Sequence, residues 1–269
     1  MKGDAMRFDG KVALVTGGSS GIGRATSLAF GRAGARVVVA ARDEEKGRAA
    51  QAAIEAAGGE ALFVAADVGR PADVARLFET AIGRFGRLDC AFNNAAGREG
   101  MLQSFLDLSE EDFDRNVAVN LKGVWLCMQH EIRQMLRQEP PGGAIVNTSS
   151  VNGLGGAPFA AAYSATKAGL IGLSKSAALE MAPRGIRVNV LAAGAFRTPM
   201  LEAAMQRLAG GDREKVPAIE DEYRKLVAQG RIGDPEEAAD AVLWLCSDRA
   251  SYVTGHTLIV DGGLTASMR

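Results

Sequence analysis

The sequence predicts a doubly wound α/β fold, a parallel sheet of about seven strands with helices on both faces. Two patterns carry that prediction. Short β-branched runs alternate with longer Ala-, Leu- and charge-rich stretches along the chain, the order of elements that lays helices over a parallel sheet. The strand runs are themselves almost continuously apolar, as in Val37-Val38-Val39-Ala40, which fits a sheet buried on both faces. The 269 residues, 47% of them hydrophobic, suffice for one large domain spanning 1–269 and do not require a second.

Strands are expected at 11–16, 36–41, 61–66, 88–93, 143–149, 186–191 and 257–260, and helices at about 21–34, 43–58, 71–85, 110–138, 162–182 and 235–246. The punctuation agrees with these positions. Gly34 follows the first helix, Gly58-Gly59 the second, and Pro71 opens the third, where a missing N–H costs nothing. Ser109-Glu110-Glu111-Asp112 reads as an N-cap with acid in the first turn. One segment breaks the rhythm. Between Pro199 and Pro235, helix-like pieces at 200–208 and 220–229 flank a polar stretch at 210–217. An insertion near the C-terminal edge of such a sheet reads as a substrate lid, at about 196–230, or else as a packed surface excursion.

Composition narrows the function classes. A net charge of -1 gives no reason to expect nucleic acid or an anionic membrane as partner. No run of ~18 apolar residues is present to span a membrane. The start, Met-Lys-Gly-Asp-Ala-Met-Arg, is short and polar, without the apolar core of a signal peptide. Cys90, Cys127 and Cys246 lie far apart among apolar neighbours, as buried thiols of a reducing compartment do. The expected location is the cytoplasm. With only His130 and His256 besides, no metal site is expected.

The first chemical signal is Thr16-Gly17-Gly18-Ser19-Ser20-Gly21-Ile22-Gly23, which follows the first strand and opens the first helix. Glycines there let the backbone approach a pyrophosphate, and the free N–H groups of the helix start attract it. Gly17, Ser19, Ser20, Gly21, Ile22 and Gly23 are therefore cofactor-binding candidates. The end of the second strand meets the adenosine ribose in such folds. Here it carries Ala41-Arg42, and a guanidinium suits a 2′-phosphate. NADP(H) is favoured and NAD(H) remains possible, since Asp43 can pair with Arg42 or face the ribose. Asp67-Val68 can meet the adenine amino group, or Asp67 can cap the helix opened by Pro71. Asn94-Ala95-Ala96 supplies small residues where a cofactor can pass, or its asparagines only bridge strands.

The second signal is Tyr163-Ser164-Ala165-Thr166-Lys167, with Ser150 upstream. A free tyrosine has a pKa near ~10 and is a poor proton donor or acceptor at neutral pH. In a helix, positions four apart share a face, so the Lys167 ammonium can favour the Tyr163 phenolate. That is a tuned acid/base on a chain able to hold a dinucleotide.

These residues resemble the short-chain dehydrogenase/reductase family over nearly the whole chain, with a Rossmann-type domain implied. The family's Thr-Gly-x-x-x-Gly-x-Gly turn resembles Thr16 to Gly23, its Asn-Asn-Ala-Gly segment resembles Asn93-Asn94-Ala95-Ala96, and its Tyr-x-x-x-Lys pair is Tyr163 with Lys167. Its helix asparagine resembles Asn120 and its catalytic serine Ser150. Two departures stand out: Ala96 occupies the usual glycine position with Gly97 one place later, and Ala193-Gly194 replaces Pro-Gly. The second frees the turn at the base of the lid. The resemblance implies hydride transfer between a nicotinamide and a carbonyl or secondary alcohol, with Tyr163 as acid/base. Lys167 would lower the Tyr163 pKa and hold the nicotinamide ribose. Ser150 would bind the substrate oxygen, and Asn120 would order a water beside Lys167. Gly194 and Thr198 would border the nicotinamide.

Taken singly, Tyr163 can be an interface aromatic, Lys167 a solvated charge, Ser150 a strand-end cap and Asn120 a buried polar group; jointly they favour catalysis. His130 and His256 are expected to be structural. Substrate-wall candidates are Leu154, Phe159, Met200, Leu201 and Met205, suited to a hydrophobic ketone, cyclic alcohol or steroid-like molecule, or to a sugar if Asn152 and Glu99 turn inward. One alternative is a 3-oxoacyl-[carrier protein] reductase, with Arg133, Arg137, Arg184 and Arg187 as a basic patch at the entrance. Another is a nucleotide-sensing binding protein without catalysis. The resemblance also implies a homotetramer or homodimer, paired through the helices at about 110–138 and 162–182.

Overall fold

Alternation of side chains along each strand dictates the layers. In β1 (Val12–Thr16), Val12 and Leu14 enter one core while Ala13 and Val15 enter the other, because successive side chains point to opposite faces. A strand buried this way needs helices above and below. The computed structural model describes residues 6–266; residues 1–5, on which the reading of the polar start mainly rests, lie outside them.

Around β1 run β2 (Arg36–Ala41), β3 (Glu60–Ala65), β4 (Cys90–Asn93), β5 (Gly143–Ser150), β6 (Ile186–Ala193) and β7 (Thr257–Val260). They form one seven-stranded sheet in the order β3-β2-β1-β4-β5-β6-β7, every pair parallel. The order reverses between β1 and β4. That is the crevice where open α/β sheets bind ligands, beyond the carboxyl ends of the strands.

One core lies under α3 (Pro71–Phe85), α5 (Val124–Arg137) and α6 (Ala161–Met181). The other lies under α1 (Gly21–Arg32), α2 (Glu44–Ala56) and α9 (Pro235–Cys246). All seven strands fall where the sequence predicts, with ends displaced by up to two residues. The predicted helix at 110–138 is not uniform. It comprises α4 (Glu110–Val117), a π-helical segment at Ala118–Gly123, and α5. Gly123 lies there against Val68, where a Cβ would sit 2.7 Å from the Val68 carbonyl oxygen. Such π segments mark functional positions more often than they mark strain alone.

The insertion folds as α7 (Pro199–Leu208) and α8 (Val216–Leu226). The second helix begins inside the stretch expected to be a loop, since Pro217 in its first turn starts a helix rather than breaking it. Replacing the family's proline by Ala193 does not unravel the lid base. Phe196 bridges Gly233, and Arg197 N–H donates to the Gly233 carbonyl at 2.8 Å. Arg197 also bonds Glu220 at 2.8 Å, which Arg224 shares at 2.7 Å.

Candidate active site

The glycine turn is built for close approach. Gly17 has φ of 65° and Gly21 φ of 50°, a region where a Cβ is unwelcome. A Cβ on Gly23 would collide with the Gly17 carbonyl oxygen and lie 2.6 Å from Asn94 Nδ2. Ser20 takes the N-cap position of α1, yet its hydroxyl makes no capping bond, and no acid stands in the first turn. The helix start thus carries no side-chain cap and no neighbouring acid on its first N–H groups, the arrangement that suits an anion.

Across the crevice, Thr16 Oγ1 accepts from the backbone N–H of both Asn94 and Ala95, each at 3.1 Å. That fixes the end of β4 against the turn. Arg42 stands exposed just beyond β2, and its side chain has no ion-pair or hydrogen-bond partner among the described residues. Asp43 does not pair with Arg42: it caps α2 through the Lys46 N–H at 3.0 Å and pairs with Lys46 Nζ. Asp67 does not cap α3. Arg70 occupies that position, and Asp67 Oδ1 instead accepts from Gly69 N–H at 3.0 Å. Val68 is buried. These features fit a dinucleotide whose pyrophosphate lies on the turn.

Sheet and helix bring the four catalytic candidates to the same edge. Ser150 ends β5, Tyr163 and Lys167 lie on the first turns of α6, and Asn120 lies in the π segment. Ser150 Oγ accepts from Asn152 N–H at 3.2 Å. Burial pushes the Tyr163 pKa up, opposed by its hydrogen bond with Ser150. Lys167 Nζ lies 5.6 Å from the Tyr163 ring centre but donates to the Thr148 carbonyl at 2.7 Å. The residue that eases the tyrosine pKa in this arrangement is Ser150, not Lys167. Burial lowers the Lys167 pKa itself to about 8.

Both N–H donors of the Asn120 side chain are engaged. Its Oδ1 accepts from Gly97 N–H at 2.7 Å, and its Nδ2 donates to the Gly97 carbonyl at 3.1 Å and to Asn116 Oδ1 at 2.6 Å. The displaced glycine of the 93–97 segment is therefore the residue that Asn120 holds. Thr166 Oγ1 also donates to Asn116 Oδ1, at 3.1 Å, and Ser149 Oγ donates to the Lys167 carbonyl at 2.8 Å. Asn116, Thr166 and Ser149 escaped the sequence reading. Nothing in their spacing signals a role; they matter because buried donors and acceptors must be satisfied.

At the lid base, Thr198 caps α7, and a Cβ on Gly21 would sit 3.0 Å from Thr198 Cγ2. Gly194 packs so closely that a Cβ would lie 2.6 Å from Asp261 Cα, so backbone packing alone requires a glycine there. Of the expected substrate walls, Leu154 and Phe159 are exposed, Met200 and Leu201 are half-buried, and Met205 belongs to the buried interior of the lid. The loop at 98–102 is tied to the loop at 151–160 by Leu102 N–H donating to the Phe159 carbonyl at 2.7 Å. Both residues have positive φ, 65° and 60°. His130 stacks on Phe78 with ring centres 5.1 Å apart.

The basic patch required by a carrier-protein substrate is not at this edge. Arg133 and Arg137 close α5, and Arg184 and Arg187 adjoin the start of β6, at the opposite end of the strands. Arg187 is occupied there, donating to the Leu245 carbonyl at 2.6 Å and the Ser247 carbonyl at 3.1 Å. Among the described residues no helix is long and apolar enough to cross a membrane.

The family model described as "Enoyl-(Acyl carrier protein) reductase" matches residues 17–265. An A-factor type gamma-butyrolactone 1′-reductase of Streptomyces virginiae is 42% identical over 256 residues, 95% of each chain. A 2,5-dichloro-2,5-cyclohexadiene-1,4-diol dehydrogenase of Sphingobium indicum is 41% identical over 259 residues, 96% of this chain and 98% of that one. The crystal structure of levodione reductase superimposes with a TM-score of 0.92 at 36% identity, covering 97% of this chain and 100% of the other. Such relatives favour neither a carrier-protein substrate nor a sensor without catalysis. The chain belongs to the short-chain dehydrogenase/reductase family, enzymes that move a hydride between a nicotinamide dinucleotide, NAD(P)(H), and a carbonyl or secondary alcohol.

Proposed function

We propose that this enzyme interconverts a ring-bearing ketone and its secondary alcohol, using NADP(H) in preference to NAD(H), with Tyr163 as acid/base. The observation that carries the reading is the convergence of Ser150, Tyr163 and Lys167 at the carboxyl edge of the sheet, beside the crevice between β1 and β4. When bound, the nicotinamide supplies or accepts the hydride. Tyr163 Oη gives its proton to the substrate oxygen in reduction and takes it back in oxidation. Ser150 Oγ, already oriented by Asn152 N–H, donates to the same oxygen as charge gathers on it. Lys167, released from the Thr148 carbonyl, holds the nicotinamide ribose and favours the phenolate.

Gly17 to Gly23 would take the pyrophosphate, Asp67 and Val68 would border the adenine, and Asn94, Ala95 and Ala96 would let the cofactor backbone pass. Gly194 and Thr198 border the nicotinamide. The preference for NADP(H) rests on Arg42, exposed and without a side-chain partner among the described residues, with Asp43 turned to Lys46. A ring substrate is favoured by the two relatives named for a butyrolactone and a cyclohexadiene-diol, and by apolar Leu154 and Phe159 at the loops beside Ser150.

The segment at 196–230 acts as the lid, hinged at the Phe196–Gly233 bridge. Exposed Trp125 on α5 and Leu179 on α6 support pairing through those helices into a dimer or tetramer, and three free, buried thiols support action in the cytoplasm. The test is Tyr163→Phe, assayed with cyclohexanone-type ketones and with NADPH fluorescence. Turnover should vanish while cofactor affinity persists; retained turnover would remove Tyr163 from the chemistry.

A further inference from the structure

Beneath the cofactor crevice lies a buried carboxyl that the reaction does not use. Glu131 sits on α5 with no solvent exposure. Its Oε2 accepts from Asn93 Nδ2 at 3.0 Å, and the same Nδ2 donates to Asn147 Oδ1 at 2.9 Å. Asn147 Nδ2 donates in turn to Ser174 Oγ at 2.9 Å, on the helix that carries Tyr163 and Lys167. Two oxygens in this cluster have no donor: Glu131 Oε1 and Asn93 Oδ1. Both belong to groups already joined by one hydrogen bond. A single proton on Glu131 would satisfy both at once, because a carboxylic acid and a primary amide can pair through O–H···O and N–H···O together.

We propose that Glu131 is held as a neutral carboxylic acid and is a positioning residue: its O–H donates to Asn93 Oδ1 while Oε2 accepts from Asn93 Nδ2, and this two-point pair fixes the end of β4 beneath the cofactor turn. The alternative, a carboxylate, leaves Glu131 Oε1 and Asn93 Oδ1 both without a donor, with no cation paired to the carboxylate among the described residues, an arrangement costly on both counts.

The surroundings agree. From α3 the core contributes Val74, Leu77 and Phe78; from β4 and β5, Ala91 and Ile145 besides the two asparagines; and from α6, Leu170 besides Ser174. Cys127, on α5 itself, is the titratable group whose ionisation Glu131 opposes. Lys167, on α6, is bonded to Thr148, and its pKa is moved by burial alone. Burial raises the Glu131 pKa to about 8, with only the Asn93 bond pulling it back. The consequence for binding follows from sequence adjacency. Asn93 precedes Asn94 and Ala95, whose N–H groups anchor on Thr16 beside the turn.

Two pH windows separate the effects. The folded pKa of Glu131 lies above its unfolded value, so the folded state holds the extra proton. The stability this contributes is present below the ordinary carboxylate range and is lost as pH rises to about 8. Above about 8 the folded protein itself loses the proton, and the β4 end loosens. The link to cofactor binding rests on the function proposed above; the acid–amide pair does not.

The experiment uses the full chain and Glu131→Gln, whose amide can make the same two bonds at every pH. Infrared spectra of the wild type at pH 7 should show a protonated carboxyl stretch that shifts in D2O and is missing from E131Q. The wild-type Tm should fall relative to E131Q between pH 5 and 8. If only the neutral form binds, the NADPH Kd of the wild type should rise about tenfold from pH 7 to pH 9, and that of E131Q should stay flat. Absence of the carboxyl band, or parallel Tm profiles for the two proteins, would overturn the proposal. Parallel Kd profiles would overturn the positioning role. If neither protein binds NADPH or NADH at any pH, the oxidoreductase reading fails, while the infrared band and the Tm profiles still decide the state of Glu131.

Discussion

Lys167→Met should stabilise the protein while disabling it. Lys167 is 1% exposed, and burial lowers its pKa from 10.5 to about 8. At ~1.4 kcal/mol per tenfold change in a proton equilibrium, keeping that ammonium charged at pH 7 costs the fold about 3 kcal/mol. Its one bond, to the Thr148 carbonyl, returns about 1.5 kcal/mol as a charge-assisted hydrogen bond. Methionine fills a similar volume without charge, so the variant should gain about 1–2 kcal/mol, or roughly 2–6 °C in Tm for a chain of this size. The sign with pH follows. A lysine whose folded pKa is depressed contributes stability present above its unfolded pKa and lost as pH falls through about 8. The wild type should therefore gain stability on raising the pH from 8 to 10, and K167M should not. Thermal scans across that range, beside turnover at each pH, are the assay. A variant less stable than the wild type at pH 7, or one with an unchanged slope between pH 8 and 10, would refute the reasoning.

Three further outcomes are expected. Arg42→Asp should shift the ratio of kcat/KM values from NADP(H) toward NAD(H) by about tenfold or more, the scale of losing one charge-assisted phosphate contact; an unchanged ratio would mean that Arg42 does not read the ribose. Gly23→Ala should weaken both cofactors by about tenfold, because overpacking costs ~1–3 kcal/mol where the new Cβ meets Gly17 and Asn94, and unaltered titrations would show that the turn yields freely. Hydrogen exchange over 199–235 should slow when cofactor and substrate bind together. Equal exchange with and without them would reduce the lid to a surface insertion.

Most of the sheet was legible because each strand is short, apolar and bounded by glycine or by polar residues, as in Arg36–Ala41. The π segment was not. Ala118 to Gly123 has the composition of an ordinary helix, and what distinguishes it, its packing on Val68 and its bond to Gly97, is tertiary. Ser150, Tyr163 and Lys167 were readable as a set, since a tyrosine and a lysine one helical turn apart have a chemical reason to be together. The fourth candidate, Asn120, was readable by position, but its occupation with Gly97 was not. The expected pairing of Asp43 with Arg42 and the alternative of Asp67 as the α3 cap failed for one reason. Short acids near a helix start satisfy nearby N–H groups first, and Lys46 and Gly69 provide them.

The distribution of buried polarity gives the site its rigidity. Asn116, Asn120, Asn93, Asn147, Thr166, Ser174 and Glu131 are all buried. They form two chains of bonds that meet at α6. One runs from Thr166 through Asn116 and Asn120 to the Gly97 backbone. The other runs from Ser174 through Asn147 and Asn93 to Glu131. Apolar packing positions a helix to within the tolerance of its side-chain rotamers, whereas a buried donor without its acceptor costs ~1–3 kcal/mol. Any slip of α6 along the sheet would break bonds in both chains together. The helix that carries Tyr163 and Lys167 is thus held in register against the strand ends that border the cofactor crevice, and the same bonds that lock it offer the apolar core no return. A sequence built only for stability would place leucines at these positions; their polarity is explained by the need to hold the catalytic helix in a single register.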